Sequence, residues 1–354
     1  MGILDRYVGK IIFSATMLSL FVLLGLSSII KFVEQMKGVG KGTYGVWDAA
    51  YFVVLKIPAE LVIFFPMAAL IGALIGLGTL ASSSELVVMQ AAGLSKLRIA
   101  SSVLKTAIPM VIAVMLVGEF VAPAADKEAY SARAIAKHGE ESVTNTYGVW
   151  VKDANSFISI GRMNSNAQLF SIQIYFFDEQ MKLIEAKLAQ NGVYQDGQWL
   201  LKNVSSTAFF QDKTATTHYD ESVWNTELTP KKLQVVLSDP DIMPMRDIYN
   251  YIKYLETNEQ EASGFWLILW RKAVLPFTIL VMMLLSVSFI FGGLRSVTMG
   301  TRLIFAIVSG FTFHIMGELF GPFSLVFSLP PLLGALLPSL IVLAIAMYLL
   351  QRQT

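Results

Sequence analysis

The sequence predicts an α-helical integral membrane protein with six transmembrane helices, three on each side of an inserted antiparallel β domain. Three observations carry this. The 354 residues are 55% apolar and only 15% charged, with a mean hydropathy of +0.58, where a soluble domain carries about a quarter charged residues. Charge is unevenly spread: residues 126–262 hold 32 of the 53 charged side chains, 13 basic and 19 acidic, while the rest of the chain holds 14 basic and 7 acidic. Six stretches reach the roughly 20 apolar residues that a spanning helix needs. This composition excludes a disordered chain, a fibrous repeat or a nucleic-acid binder. The absence of cysteine excludes disulfides, thiol catalysis and zinc–thiolate sites.

Ile11–Ile30 is uncharged between Lys10 and Lys31, and Leu61–Ser84 is uncharged throughout. Thr106–Ala125 carries only Glu119. Ala273–Leu294 is uncharged, Leu303–Phe320 carries only His314 and Glu318, and Leu332–Leu350 follows the Pro330–Pro331 break. The first stretch is too long for a cleavable signal peptide, and Lys31 stands where a small-residue cleavage site belongs. Basic residues in short loops favour the N-terminus inside, eight against six. Both termini are then cytoplasmic and residues 126–262 lie outside, which in a bacterium is the periplasm.

The chain divides into residues 1–125, 126–262 and 263–354. In the insert, Tyr147–Lys152, Phe157–Gly161, Leu169–Phe177 and Trp199–Val204 are rich in β-branched and aromatic residues, and Asn191–Gly192 and Asp196–Gly197 read as turns. An antiparallel sandwich or open roll over about 142–240 follows. Helical linkers over Asp126–His138 and Met245–Glu261 flank it.

Three features of the membrane half carry chemistry. Ser82 and Glu85 have capping-box spacing and Gly93 stands at a C-cap position, so a short helix over about 82–93 lies at the cytoplasmic surface. Leu86, Met89 and Gln90 share one of its faces. It reads either as a simple connector or as a coupling helix for a motor subunit, with Glu85, Leu86, Met89 and Gly93 at the contact. Lys31, Lys37 and Lys41, joined by Arg271 and Lys272, sit at the outer level against the usual charge bias. They read either as snorkelling side chains or as a clamp for an anionic headgroup. His314 and Glu318 are one turn apart in an apolar span; a mutual hydrogen bond or exposure at the outer edge is favoured over a catalytic or metal site. Gly38-Val39-Gly40-Lys41-Gly42-Thr43 lacks phosphate-loop spacing, and neither G-x-S-x-G nor H-E-x-x-H occurs.

Leu4–Lys10 (LDRYVGK), Ser27–Lys37 (SSIIKFVEQMK), Ile63–Gly93, Ser288–Gly300 and Phe320–Pro338 together resemble one family, the lipopolysaccharide-export permeases of the LptF/LptG type, most closely its G-subunit branch. The resemblance runs through the spans on both sides of the insert and is weakest within it. It implies a non-catalytic permease of the bacterial inner membrane, binding no cofactor itself. ATP and magnesium would be bound by a dimeric cytoplasmic ATPase. Further implied partners are a paralogous F subunit and a periplasmic jellyroll bridge protein with a single membrane anchor. The substrate would be lipopolysaccharide, and the insert a β-jellyroll. Lys31 and Lys37 would face lipid A phosphates. An apolar cavity behind gates at spans one and five would be lined by Met17, Phe21, Leu24, Phe64, Phe65, Phe311 and Ile315. Where the family pattern has a lysine before the IFFP segment, this chain has Ala59 and Glu60, with Lys56 nearby. Competing readings are a permease for another envelope lipid or lipoprotein, an intramembrane enzyme using His314 and Glu318, and a scaffold that only binds proteins.

Overall fold

The computed structural model describes residues 2–138, 149–153, 155–163, 168–195, 197–210, 213–226, 228–230, 233, 240, 243–292 and 297–351. In chain order the elements are α1 (Ile3–Met36), α2 (Val46–Ser82), α3 (Glu85–Ala91), α4 (Lys96–Leu116), a π-helical turn (Val117–Val121) and α5 (Ala122–His138). Six strands follow: β1 (Val149–Asp153), β2 (Ser156–Met163), β3 (Leu169–Phe177), β4 (Leu183–Gln195), β5 (Gln198–Phe209) and β6 (Thr214–Trp224). The chain ends with α6 (Met245–Thr257), α7 (Ser263–Phe291), α8 (Met299–Val326) and α9 (Pro331–Gln351). Two compact units result. One is Met1–Lys31, Lys56–Pro123 and Ser263–Thr354; the other is Phe32–Leu55 and Ala124–Ala262.

Among the described residues, six helical stretches are long and apolar enough to cross a membrane: Ile3–Met36, Val46–Ser82, Lys96–Lys137, Ser263–Phe291, Gly300–Val326 and Pro331–Gln351. Their number and order are those expected, and most run well beyond the uncharged stretches that mark them. At 1.5 Å per residue the 34 residues of α1 reach about 50 Å, against about 30 Å of hydrocarbon. Charged residues at the ends of a long helix lie outside the hydrocarbon and do not end it. The expected helical linkers are α5 and α6. Leu294, the expected end of the fourth span, lies outside the described residues.

In the helical unit α2 and α7 are the inner helices, with 72% and 67% of their apolar windows buried, against 22% for α1 and 11% for α8. In lipid, helices associate through small residues that let backbones approach. Gly72 and Gly76 of α2 do this for α1. A Cβ at Gly76 would stand 3.1 Å from the Ile12 Cα, and one at Gly72 would run into the backbone of Thr16. Polar side chains tie α7 to α9: the Thr278 and Ser339 hydroxyls lie 2.8 Å apart, and Ser288 donates to the Ala346 carbonyl at 2.9 Å. Buried Arg302 of α8 donates to the Gly78 carbonyl at 2.8 Å.

In the other unit the six strands form one antiparallel sheet in sequential order, β1 to β6, and the sheet does not close. Strands β1, β2, β3 and β5 fall where expected, although Tyr147 lies outside the described residues. Val151, Ile158, Ile160, Ile172, Ile174, Ala189 and Val204 are buried. Asn191–Gly192 is not a turn. It lies inside β4, paired with Lys202 and Leu201 of β5. A Cβ on Gly192 would stand 2.7 Å from the Ile172 Cδ1, so the glycine makes room for core side chains. Gly197, at φ +83°, does turn the chain between β4 and β5. In α6, Ile248, Tyr251, Ile252 and Leu255 form the buried apolar face. Burial pushes the Tyr251 hydroxyl up to about 12, so its ring stays neutral there.

Candidate functional site

At the short helix α3, the expected capping box does not form. Helix α2 runs through Ser82, whose hydroxyl donates back to the Thr79 carbonyl. The residue before α3 is Ser84, in the left-handed region at φ +62°, with no side-chain cap. Glu85 instead accepts from the Ser83 hydroxyl at 2.9 Å and the Tyr7 hydroxyl at 2.8 Å. Gly93, at φ +89°, ends the helix as expected, and the Leu94 N–H bonds back to the Met89 carbonyl.

Two of the four expected coupling residues face inward. Leu86 is buried and Met89 packs against the helical core. The apolar face shared by residues three apart is therefore spent on holding α3 to the spans. The outward face presents Val87 and Val88, 45% and 67% exposed, with Leu97 of α4 exposed beyond them. Sequence reasoning passed over both valines, although a helix apolar all round is itself a sign that a second partner is needed.

The basic residues expected at the outer level divide. Lys31 pairs with Glu60 of α2 at 2.5 Å, and the Glu60 side chain is only 3% exposed. The acidic residue beside Ala59 therefore already compensates this lysine. Arg271 is turned onto α8: it donates to the Gly317 carbonyl at 2.7 Å and pairs with Glu318 at 3.7 Å. Gly321 leaves space for the guanidinium. Lys272 is half-buried. Of the two arrangements expected for His314 and Glu318, a mutual hydrogen bond or exposure, both side chains are exposed and Glu318 pairs with Arg271 instead of His314.

Lys37 and Lys41 belong to the unit that holds the sheet. Both are exposed, and neither makes an ion pair with a described residue. The Gly38–Thr43 segment is a turn docked on α5. Thr43 donates from its N–H and hydroxyl to the Ala136 carbonyl, and Gly42 both adopts φ +60° and leaves no room for a Cβ, which would strike the Ala136 and Lys137 carbonyls. Two further cations stand in this unit on α5. Lys137 lies 4.6 Å from the Tyr44 ring and Arg133 lies 5.1 Å from the Phe52 ring. Sequence reasoning treated α5 only as a linker, and the aromatic supports that orient these cations are distant in sequence. Burial pushes the Tyr44 hydroxyl up, and that hydroxyl donates to Gln35 at 3.2 Å.

The expected cavity residues also divide. Phe65 is buried in the helical core, where it cannot line an open surface, and Met17, Leu24 and Phe64 are half-buried against that core. Phe21, Phe311 and Ile315 are 76%, 49% and 55% exposed. Helices α1 and α8 thus present broad apolar faces that no other described helix covers. Among the described residues no group of three His, Asp or Glu is placed to hold a metal ion.

Six apolar spans, an inserted antiparallel sheet and a short helix between the second and third spans define a multi-pass membrane protein. Residues 6–352 match the family described as Lipopolysaccharide export system permease LptF/LptG, and the chain belongs to that family. It is 44% identical to Lipopolysaccharide export system permease protein LptG of Escherichia coli (strain K12) over 356 residues, covering 100% of this chain and 99% of the relative. It is also 44% identical to the protein of the same name from Haemophilus influenzae over 352 residues, covering 99% of this chain and 98% of the relative.

Proposed function

We propose that this chain is a non-catalytic permease subunit of an ATP-driven exporter. It takes lipopolysaccharide from the outer leaflet of the bacterial inner membrane and passes it to a periplasmic protein bridge. The end-to-end match to permeases of that name is the observation that carries the reading. The reading includes a paralogous F-type partner and a dimeric cytoplasmic ATPase that binds ATP and magnesium. Both termini are on the cytoplasmic side and the sheet is in the periplasm.

The physics makes a motor necessary. Each buried CH₂ holds a lipid in the bilayer by about 0.8 kcal/mol, so a molecule with several acyl chains does not leave spontaneously. The exposed apolar faces of α1 and α8 suit lateral gates, since an acyl chain entering between them trades one apolar surface for another. Lys37 and Lys41, with Arg133 and Lys137, suit phosphates at the outer level. The open edge β6, exposed along most of its length, suits pairing with a strand of the bridge protein.

Two results are expected. Val88→Asp should release the ATPase from the purified complex, because it places a charge on the outward face of α3; undiminished co-purification would remove α3 from that interface. Replacing Lys37 and Lys41 together with Asp should lower photo-crosslinking to lipopolysaccharide several-fold, while basal ATP hydrolysis survives. A single exposed pair is worth about 0–1 kcal/mol, so the double change is the informative one. Wild-type crosslinking in the double variant would leave both lysines as ordinary interfacial side chains.

A further inference from the structure

The cytoplasmic end of α1 is gripped from two sides. Asp5, whose side chain is 1% exposed, accepts from the Ser102 hydroxyl at 2.5 Å and lies 3.4 Å from Lys105 and 3.8 Å from Arg98, all on α4. The Gly2 N–H adds a contact at 3.1 Å. One turn on, Gly9 lets α1 lie close to α4: a Cβ there would meet the Thr106 hydroxyl at 2.8 Å. Tyr7 is two residues past Asp5, so it leaves the helix on a different face. Its hydroxyl donates to Glu85 at the first position of α3.

Helix α3 is seven residues long and is bounded by left-handed residues at both ends, Ser84 before it and Gly93 after it. Such junctions let a short helix tilt as a block. Its only polar tie to α1 among the described residues runs through Glu85, both of whose carboxylate oxygens are engaged, one by Ser83 and one by Tyr7. α1 is also one of the two spans, with α8, that present a broad uncovered apolar face.

We propose that Tyr7 is a positioning residue that links α3 to span one, so that displacement of α3 by the motor moves the cytoplasmic end of α1 through the Tyr7–Glu85 hydrogen bond while Asp5 holds α1 to α4. This rests on the reading of α3 as the motor contact. Phenylalanine at position 7 keeps the ring and removes only the hydrogen bond.

The test uses the complete complex in lipid nanodiscs, reading lipopolysaccharide extracted per ATP hydrolysed. Tyr7→Phe should lower that ratio about three- to ten-fold, as for a typical solvent-exposed hydrogen bond, with ATP turnover and ATPase co-purification unchanged. Because the chain has no cysteine, a Tyr7→Cys, Glu85→Cys pair can be joined selectively by a short bismaleimide. Joining should raise the ratio again, which a merely structural role for Tyr7 would not produce. An unchanged ratio in Tyr7→Phe, or a lowered ratio that joining fails to restore, overturns the link. The underlying reading fails separately, if Val88→Asp leaves the ATPase bound.

Discussion

Gly72→Leu is expected to separate α1 from α2 and to leave little folded protein. The reason is backbone proximity, because a Cβ at this position would occupy the space of the Thr16 backbone. Over-packing a close-packed site costs about 1–3 kcal/mol when side chains can adjust, and more where the obstacle is a helix backbone. In lipid no hydrophobic driving force compensates for the lost contact, because acyl chains solvate Leu as well as a neighbouring helix does. Gly72→Ala should show a smaller loss of the same kind. The check is the thermal midpoint and monodisperse yield in detergent across Gly, Ala and Leu. A Leu variant with wild-type yield and midpoint would show that α1 does not pack on this stripe.

Trp199→Ala should unfold the β unit preferentially. Trp199 is fully buried, its indole N–H donates to the Leu228 carbonyl at 2.6 Å, and its ring meets Tyr194 edge-on at 5.1 Å. Removing a buried aromatic costs about 3–5 kcal/mol, and the orphaned carbonyl adds about 1–3 kcal/mol. That is a large share of the roughly 5–15 kcal/mol available to a domain. Limited proteolysis of the whole chain in detergent should then cut between β1 and β6 at far lower protease concentrations than in the wild type. Trp150→Ala is the control, since Trp150 is 60% exposed. Equal resistance of Trp199→Ala and wild type would contradict a supporting role for the buried Trp199 in this unit.

The contrast between those two tryptophans shows where sequence reading stops. Six spans and an antiparallel insert were legible because hydropathy acts over 20 residues and β-branched runs act locally. Strands β4 and β6 were not. The first reads LIEAKLAQ, composed of good helix formers, and the second reads TATTHYDES, polar because it lies at a solvated sheet edge; pairing with β5 overrides both preferences. The site was half legible. A short helix after Ser82 was evident, but which of its apolar residues faced outward depends on what covers Leu86 and Met89. The lysines at the C-terminal end of α1 were evident too. That Lys31 is compensated by Glu60, and that Lys137 and Arg133 are held against Tyr44 and Phe52, depends on contacts between residues far apart in the chain.

The Asp5 cluster has a consequence for the order in which this chain is made. Its partners Ser102 and Lys105 lie 97 and 100 residues downstream. At about 5–20 residues per second on the ribosome, the first span waits roughly 5–20 s for the groups that satisfy its buried carboxylate. Glu60 and the glycines of α2 arrive earlier, so α1 gains its contacts with α2 before those with α4. During that interval the contacts with α2 and with Glu85 resist sliding of α1 along its own axis, and the buried Asp5 carboxylate is satisfied only once α4 has been translated.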